Sequence, residues 1–434
     1  MTAAAKHQEL ESRLTRRGLG GDFAKLWAGE GISLLGTQVT VLALPLVAVI
    51  TLHATAGQLG VLNACRYAPF VLVTLVAGVA VDRLRRRLTM IFANAVRAFL
   101  IALIPVAAAL GSLRVEYLYG VAFAVGLFTV FFDLAYQAYL PALVERSELT
   151  PANSRLQASA SAAELGGPGL GGLLVQALTA PYALAVDAAS YVISVLSLAS
   201  IEHREQKPEP GECPRLLPAI RSGFRFTFGN AYLRAIAGEA ATFNLFEQTI
   251  LTAFVVYAIR VLDFSPGLLG VIISCGAAGA LVGSLLVRGL ERRFGFGPAC
   301  VGSMAVACVV PLLIALPAGG GWTTALALMS VFFVWGLAVA VSNVLVVSIR
   351  QTVTPNAMLG RMNASYRFFT YGAIPLGALL GGGLAGVIGL RATLLVGALG
   401  MVLALGWLVL SPVWRLQALP IGPDEVGSAE GAAR

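Results

Sequence analysis

The run "GVAVDRLRRRLTMIFANAVRAFLIALIPVAAAL" from Gly78 to Leu110 sets a tight basic turn directly before a long apolar stretch. From Leu88 onward it holds a single charge, Arg97. A helix rises 1.5 Å per residue and must satisfy its own backbone inside lipid, so about 20 apolar residues cross a bilayer. The stretch therefore predicts a membrane-spanning helix whose basic start stays in the headgroup layer.

Outward from it the pattern repeats. Upstream and downstream runs fall near 28–51, 58–80, 88–110, 117–140, 158–178 and 182–201, then near 235–258, 268–287, 298–316, 323–347, 364–387 and 392–410. Six spans lie on each side of a polar stretch. Composition agrees, because 58% of the 434 residues are hydrophobic and only 12% charged, too few to cover a water-facing surface. That excludes a soluble enzyme. The net charge of +8 lies in short runs between apolar blocks, not along one face, which argues against nucleic acid as a partner. Its distribution is topological: loops on the N-terminal side of the membrane hold 24 of the 30 Lys and Arg, the other side 3. Both termini are expected in the cytoplasm of a bacterial-type inner membrane, with no signal peptide removed. The five cysteines are too scattered for a disulfide framework and are read as unpaired.

These runs divide the chain into a cytoplasmic tail (1–25), a six-helix bundle (26–201), a linker (202–233), a second six-helix bundle (234–410) and a cytoplasmic tail (411–434). Within the linker, Leu216 to Phe228 mixes aromatic and apolar residues with Arg221 and Arg225, as an amphipathic helix on the membrane surface would. The halves share local patterns. "GVAVDRLRRR" from Gly78 has a counterpart in "GSLLVRGLER" from Gly283, with Val287 in place of Asp82, and "LTPANSRLQAS" from Leu149 resembles "VTPNAMLGRMNAS" from Val353. A duplicated six-helix unit places a substrate path between two rocking halves. The expected fold is all-α, twelve spans in two pseudo-symmetric bundles.

Six plus six helices, a basic linker and G-x-x-x-D-R-x-x-R-R at Gly78, Asp82, Arg83, Arg86 and Arg87 together resemble the major facilitator superfamily. "LWAGEGISLLGTQVTVLALPL", "VFFDLAYQAYLPALV" and "LGRMNASYRFFTYGAIPLGALLGG" are similar to its drug/proton antiporter branch, which includes macrolide efflux proteins and enterobactin-type siderophore exporters. The resemblance implies a conformational latch at the motif, with an acid on the fourth helix joining a charge relay; Asp133 is the expected partner of Arg86 or Arg87. Without the family, the same loop reads as a topogenic basic turn with a capping Asp. "GPGLGG" at Gly167, Pro168, Gly171 and Gly172 is similar to the end of the fifth-helix antiporter motif, and its glycines also suit close helix packing.

Nine ionisable residues lie inside the spans: Glu30, Arg66, Arg97, Asp133, Glu164, Asp187, Glu239, Glu247 and Arg367. A lone charge at mid-bilayer costs at least about 2.5 kcal/mol, so this set implies an internal wet or paired environment. No His lies in a span, so carboxylates must carry any coupled proton, and Glu30, Glu239, Glu247, Asp133 and Glu164 are the candidates. Each could instead fix helix packing or lie near an interface. Arg66 and Arg97 are expected either to pair with these acids or to contact a substrate carboxylate, and with Arg367, Phe243, Phe246 and Tyr366 they are the substrate-cavity candidates, the aromatics supplying a stacking surface. The excess of acids favours cationic or neutral substrates over anionic siderophores.

No Walker A loop, nucleophile elbow or metal-spaced His/Cys cluster occurs, so no cofactor or metal is expected and the chain reads as a transporter rather than an enzyme. The leading reading is a monomeric proton-coupled exporter of a bulky amphipathic small molecule. The alternative is an uncoupled facilitator or lysolipid flippase on the same scaffold.

Overall fold

The computed structural model describes residues 20–74, 77, 81, 84–203, 205, 216–317, 319–355 and 358–418. Among them are six helices before the linker: α1 (Gly21–Leu46, ending in a π-turn at Val47–Thr51), α2 (Ala56–Leu72), α3 (Arg86–Ala109), α4 (Val115–Leu143), α5 (Leu149–Leu178) and α6 (Ala180–Ala199). The linker contributes α7 (Leu216–Gly229). Six more follow: α8 (Ala231–Arg260), α9 (Pro266–Phe294), α10 (Phe296–Val309), α11 (Trp322–Thr352), α12 (Leu359–Ile388) and α13 (Leu390–Val409). No strand is present among the described residues.

Ten of these helices are long and apolar enough to cross a membrane. α5 misses that mark for a physical reason: Asn153, Arg155, Gln157 and Glu164 make its first sixteen residues polar, and Asn153, Gln157 and Glu164 face a cavity. Helices also run past the apolar stretches. α5 starts at Leu149 and α12 at Leu359, because a polar first turn outside the hydrocarbon still gains backbone bonds. Side-chain caps fix several starts, where helical N–H groups lack partners. Thr55 and Gln58 form a reciprocal capping box on α2, the Asn230 carboxamide oxygen accepts from Tyr232 and Leu233, and Ser265 caps α9 with Pro266 at its first position.

The two halves meet along two crossings, α2 with α12 and α5 with α9. Both depend on glycine. A Cβ at Gly60 would lie 2.5 Å from the Ala378 carbonyl oxygen, and one at Gly172 would collide with the Pro266 carbonyl, so only glycine permits these approaches. Polar contacts reinforce the same level: Asn63 donates to Thr252 at 3.2 Å, and the Gly169 amide donates to Ser274 at 3.0 Å. Nearer the end of α8, the Arg260 guanidinium donates to the carbonyls of Ala54 (2.7 Å) and Val49 (3.5 Å). All of these contacts lie on the side opposite the linker. Toward the linker face the halves part, leaving a cavity of about 810 Å³ among α2, α4, α11 and α12 and another of about 940 Å³ between α5 and α9.

α7 does more than rest on a surface. Phe224 meets Phe368 edge-on at 6.0 Å and Phe228 meets Phe369 at 5.2 Å, so its aromatic face is seated on α12. Gly223 makes room for this, since a Cβ there would stand 2.5 Å from the Arg361 carbonyl.

Candidate functional site

α4 and α12 face each other across one of the two openings between the halves. Asp133 on α4 and Arg367 on α12 both line the 810 Å³ cavity, together with Tyr67, Phe70, Gln137 and Arg350. Asp133 is within electrostatic reach of Arg367 and of Arg97, while Glu30 on α1 is within reach of Arg97 and Asp133. Four elements thus bring alternating charges to one place. Tyr136, one turn from Asp133, feels both carboxylates.

Arg97 is the buried centre of this set. Only 4% of it is exposed, and its guanidinium lies 4.5 Å from the centres of both the Phe132 and Tyr191 rings. It donates to the Asn94 carboxamide and to Thr129 (3.4 Å), and Asn94 in turn donates to Ser194. Stacking between two rings and amide hydrogen bonds replace the water a guanidinium loses on burial. Behind it, Asp187 on α6 is fully buried, accepts from Thr40 and from Ser190 (3.1 Å), and is within reach of Arg97 and Arg66. Arg97 is therefore shared by three carboxylates on α1, α4 and α6.

Arg66 and Arg97 line neither of the two cavities and stand among the buried acids instead. Arg97 is enclosed inside the first half, and Arg66 lies against its neighbour Tyr67 at 5.4 Å, outside both cavity walls. Phe243 and Phe246 also line neither cavity. Phe243 belongs to the apolar core, and the Phe246 ring fills the space left by Gly400 of α13, because α8 turns this face into its own bundle. Tyr366 is half-buried beneath the Arg350 guanidinium, 4.4 Å from its ring centre. Glu239 is 2% exposed and within reach of Cys300, Cys308 and Tyr366, so it also lies inside the second bundle instead of on the cleft wall. Glu247 is half-buried at mid-helix, and Glu164 is exposed to the 940 Å³ cavity. Gly167 packs on Gln38 and Gly171 on Val39 of α1, whereas the Pro168 carbonyl lies against Gly270 of α9. The described residues contain no group of three His, Cys, Asp or Glu arranged for a metal.

A cleft between two six-helix halves, closed at one face and lined by charges, is the arrangement of an alternating-access carrier. The chain matches the family described as "Transmembrane secretion effector" over residues 20–424. It belongs to the major facilitator superfamily. It is 28% identical over 88% of its length to the multidrug efflux pump Tap of Mycolicibacterium fortuitum, 92% of which is matched. It is also 26% identical to the enterobactin exporter EntS of Citrobacter koseri, covering 93% of this chain and 95% of that one. The solved structure of the nucleoside transporter NupG shares the fold, with a TM-score of 0.69 at 14% identity over 90% of this chain and 99% of that one. This family consists of multi-pass membrane transporters, not enzymes.

In this member of the superfamily the loop motif is engaged differently from the expected relay. Gly78, Asp82 and Arg83 lie outside the described residues. Arg86 and Arg87 do not pair with Asp133. Arg86 donates to the Ala138 carbonyl (3.0 Å) before the last turn of α4, and Arg87 to those of Leu198 (2.9 Å) and Ala199 (2.6 Å) at the end of α6. Positive charge suits the C-terminus of α6, where the last carbonyls run out of helical partners. The acid that answers is Glu205, whose two oxygens accept the Arg86 and Arg87 amides at 3.0 and 3.1 Å, with the Arg86 Nε at 3.8 Å. Sequence reasoning missed Glu205 because it stands 118 residues from Arg87 in a polar linker without periodicity. Asp22 holds the same segment from the other side, accepting from the amides of Glu202 and His203.

Proposed function

We propose that the chain exports an amphipathic small molecule across a bacterial inner membrane in exchange for protons. The cleft opens alternately to the two faces, and the linker face, with both termini, is cytoplasmic. The single observation carrying this reading is the set Glu30, Arg97, Asp133 and Arg367, contributed by α1, α3, α4 and α12, in which Asp133 and Arg367 face each other across the cleft and Arg97 and Glu30 stand behind Asp133 in the first half. Its members belong to both halves, so a relative movement changes which charges face each other. Asp133 has Arg367 as counter-charge only while α12 is near; with α12 displaced, a proton supplies the same compensation. Proton binding and conformation are thereby linked.

The orientation follows from the basic residues of the linker-side loops, which hold 24 of the 30 in the chain. Export of small molecules is what the names of the mycobacterial-type efflux pump and the enterobactin exporter state of those relatives, and it extends to this chain as part of the proposal. Glu30 and Asp133 are assigned the proton; Glu164, in the second cavity, and Glu247 are further acids of the pathway. Gly78, Asp82, Arg83, Arg86 and Arg87 are assigned to closure of the cytoplasmic side.

Inverted membrane vesicles with an imposed pH gradient test the reading. Uptake of a fluorescent amphipathic dye should follow the gradient and stop when it is collapsed. Glu30→Gln and Asp133→Asn should abolish that dependence. Uptake indifferent to the gradient and to both substitutions would leave an uncoupled facilitator or lysolipid flippase.

A further inference from the structure

The 810 Å³ cavity carries a charge that the coupling mechanism leaves unused. Its wall holds two guanidiniums, Arg350 and Arg367, and among the described residues one carboxylate, Asp133. Asp133 is answered by Arg367 and Arg97. Arg350 pairs with no acid among the described residues: its guanidinium rests over the Tyr366 ring at 4.4 Å and hydrogen-bonds that side chain, while its Nε is buried without a hydrogen-bond partner. Glu239 reaches Tyr366 but does not line the cavity. The wall is therefore net positive beside an aromatic surface, where Phe70 and Tyr371 face each other at 6.5 Å and Asn363 adds a carboxamide.

We infer that this compartment selects substrates bearing an acidic group, a carboxylate or phenolate, on an aromatic body, with Arg350 as the residue that receives the anion. A guanidinium presents parallel N–H donors that match a carboxylate, and one answered by a ring face and a neutral hydroxyl rather than by an acid keeps its charge for an incoming anion. The ring of the ligand then lies against Phe70 and Tyr371. This conclusion rests on the cleft being the substrate path. It reverses the preference suggested by the charges of the spans, where six acids outnumber three arginines. Arg350 was not counted there because it lies three residues beyond an apolar run ending at 347.

The test uses the purified full-length protein in lipid nanodiscs with two fluorescent probes of one body, 9-anthracenecarboxylate and its methyl ester. The acid should bind about tenfold or more tightly than the ester. Arg350→Gln should remove that difference while leaving ester binding unchanged, and Arg350→Lys should keep part of it. Independently, in the unsubstituted protein the acid but not the ester should protect Arg350 from phenylglyoxal, read by peptide mass spectrometry. Equal binding of acid and ester, retention of the difference in Arg350→Gln, or equal protection by both probes would overturn the inference; if Arg350→Gln does not fold, the protection experiment decides. Should vesicles show no gradient-driven uptake of either probe while binding behaves as expected, the export reading fails and the anion site stands.

Discussion

Arg260 shows how much one side chain can decide at the face opposite the linker. It reaches from the last turn of α8 to carbonyls of Val49 and Ala54 in the other half. Hydrogen bonds from charged donors contribute about 1.5–3 kcal/mol each. Arg260→Ala is accordingly expected to loosen this face, so that a cysteine introduced at Asn63 reacts about tenfold faster with a polar maleimide; an unchanged rate would assign closure to the helix crossings alone. Gly172→Val acts in the same place by exclusion. Its side chain would meet the Pro266 backbone, which cannot rotate away, so the face should stay open and vesicle uptake should fall at least severalfold at normal protein levels. At this scale the sequence was partly legible. Arg97 stood out as a charge in an apolar run, yet Arg260 read only as a loop charge, because the carbonyls it meets are 206 and 211 residues away in the chain.

Periodicity made α7 visible as an element, but not what it covers. An amphipathic stretch between two bundles fits a headgroup layer, and Arg221 and Arg225 do remain exposed. Its aromatic face meets protein instead, through Phe224 on Phe368 and Phe228 on Phe369, adjacent to the cavity residue Arg367. Edge-on aromatic pairs contribute about 0.5–1.5 kcal/mol beyond the area they bury. Phe228→Ala should therefore release α7 from α12, seen as faster tryptic cleavage after Arg221 and Arg225 with the bundles intact. Cleavage at the original rate would mean that backbone contact at Gly223 suffices to hold the helix. The linker is fixed to both halves, at Glu205 to the start of α3 and at α7 to α12. Neither attachment has a local sequence signal, since each pairs residues from different elements.

Across the whole molecule the apolar runs were enough for helix count and order, because lipid permits few other solutions for a backbone. Pairing between halves was not readable, since α2, α5, α9 and α12 carry the same small residues whether they pack within a bundle or across the cleft: Gly279 and Gly283 lie against α11, but Gly270 against α5. That distinction decides what moves. Contacts inside a bundle persist through the cycle, whereas Gly60 with α12, Gly172 with α9, and Asn63 with Thr252 must separate when the opposite face opens. Asn63→Cys combined with Thr252→Cys, with the native cysteines replaced by serine, places two thiols where a 3.2 Å hydrogen bond now joins the halves. A short bifunctional thiol reagent should link them and stop vesicle uptake, and a cleavable version should restore uptake after reduction. Substrate binding from the linker side should survive the link, because the cavities that open there lie on the other side of the crossing. Continued uptake by fully linked protein would show that the halves do not part at this face, and substrate would then need a route other than the central cleft.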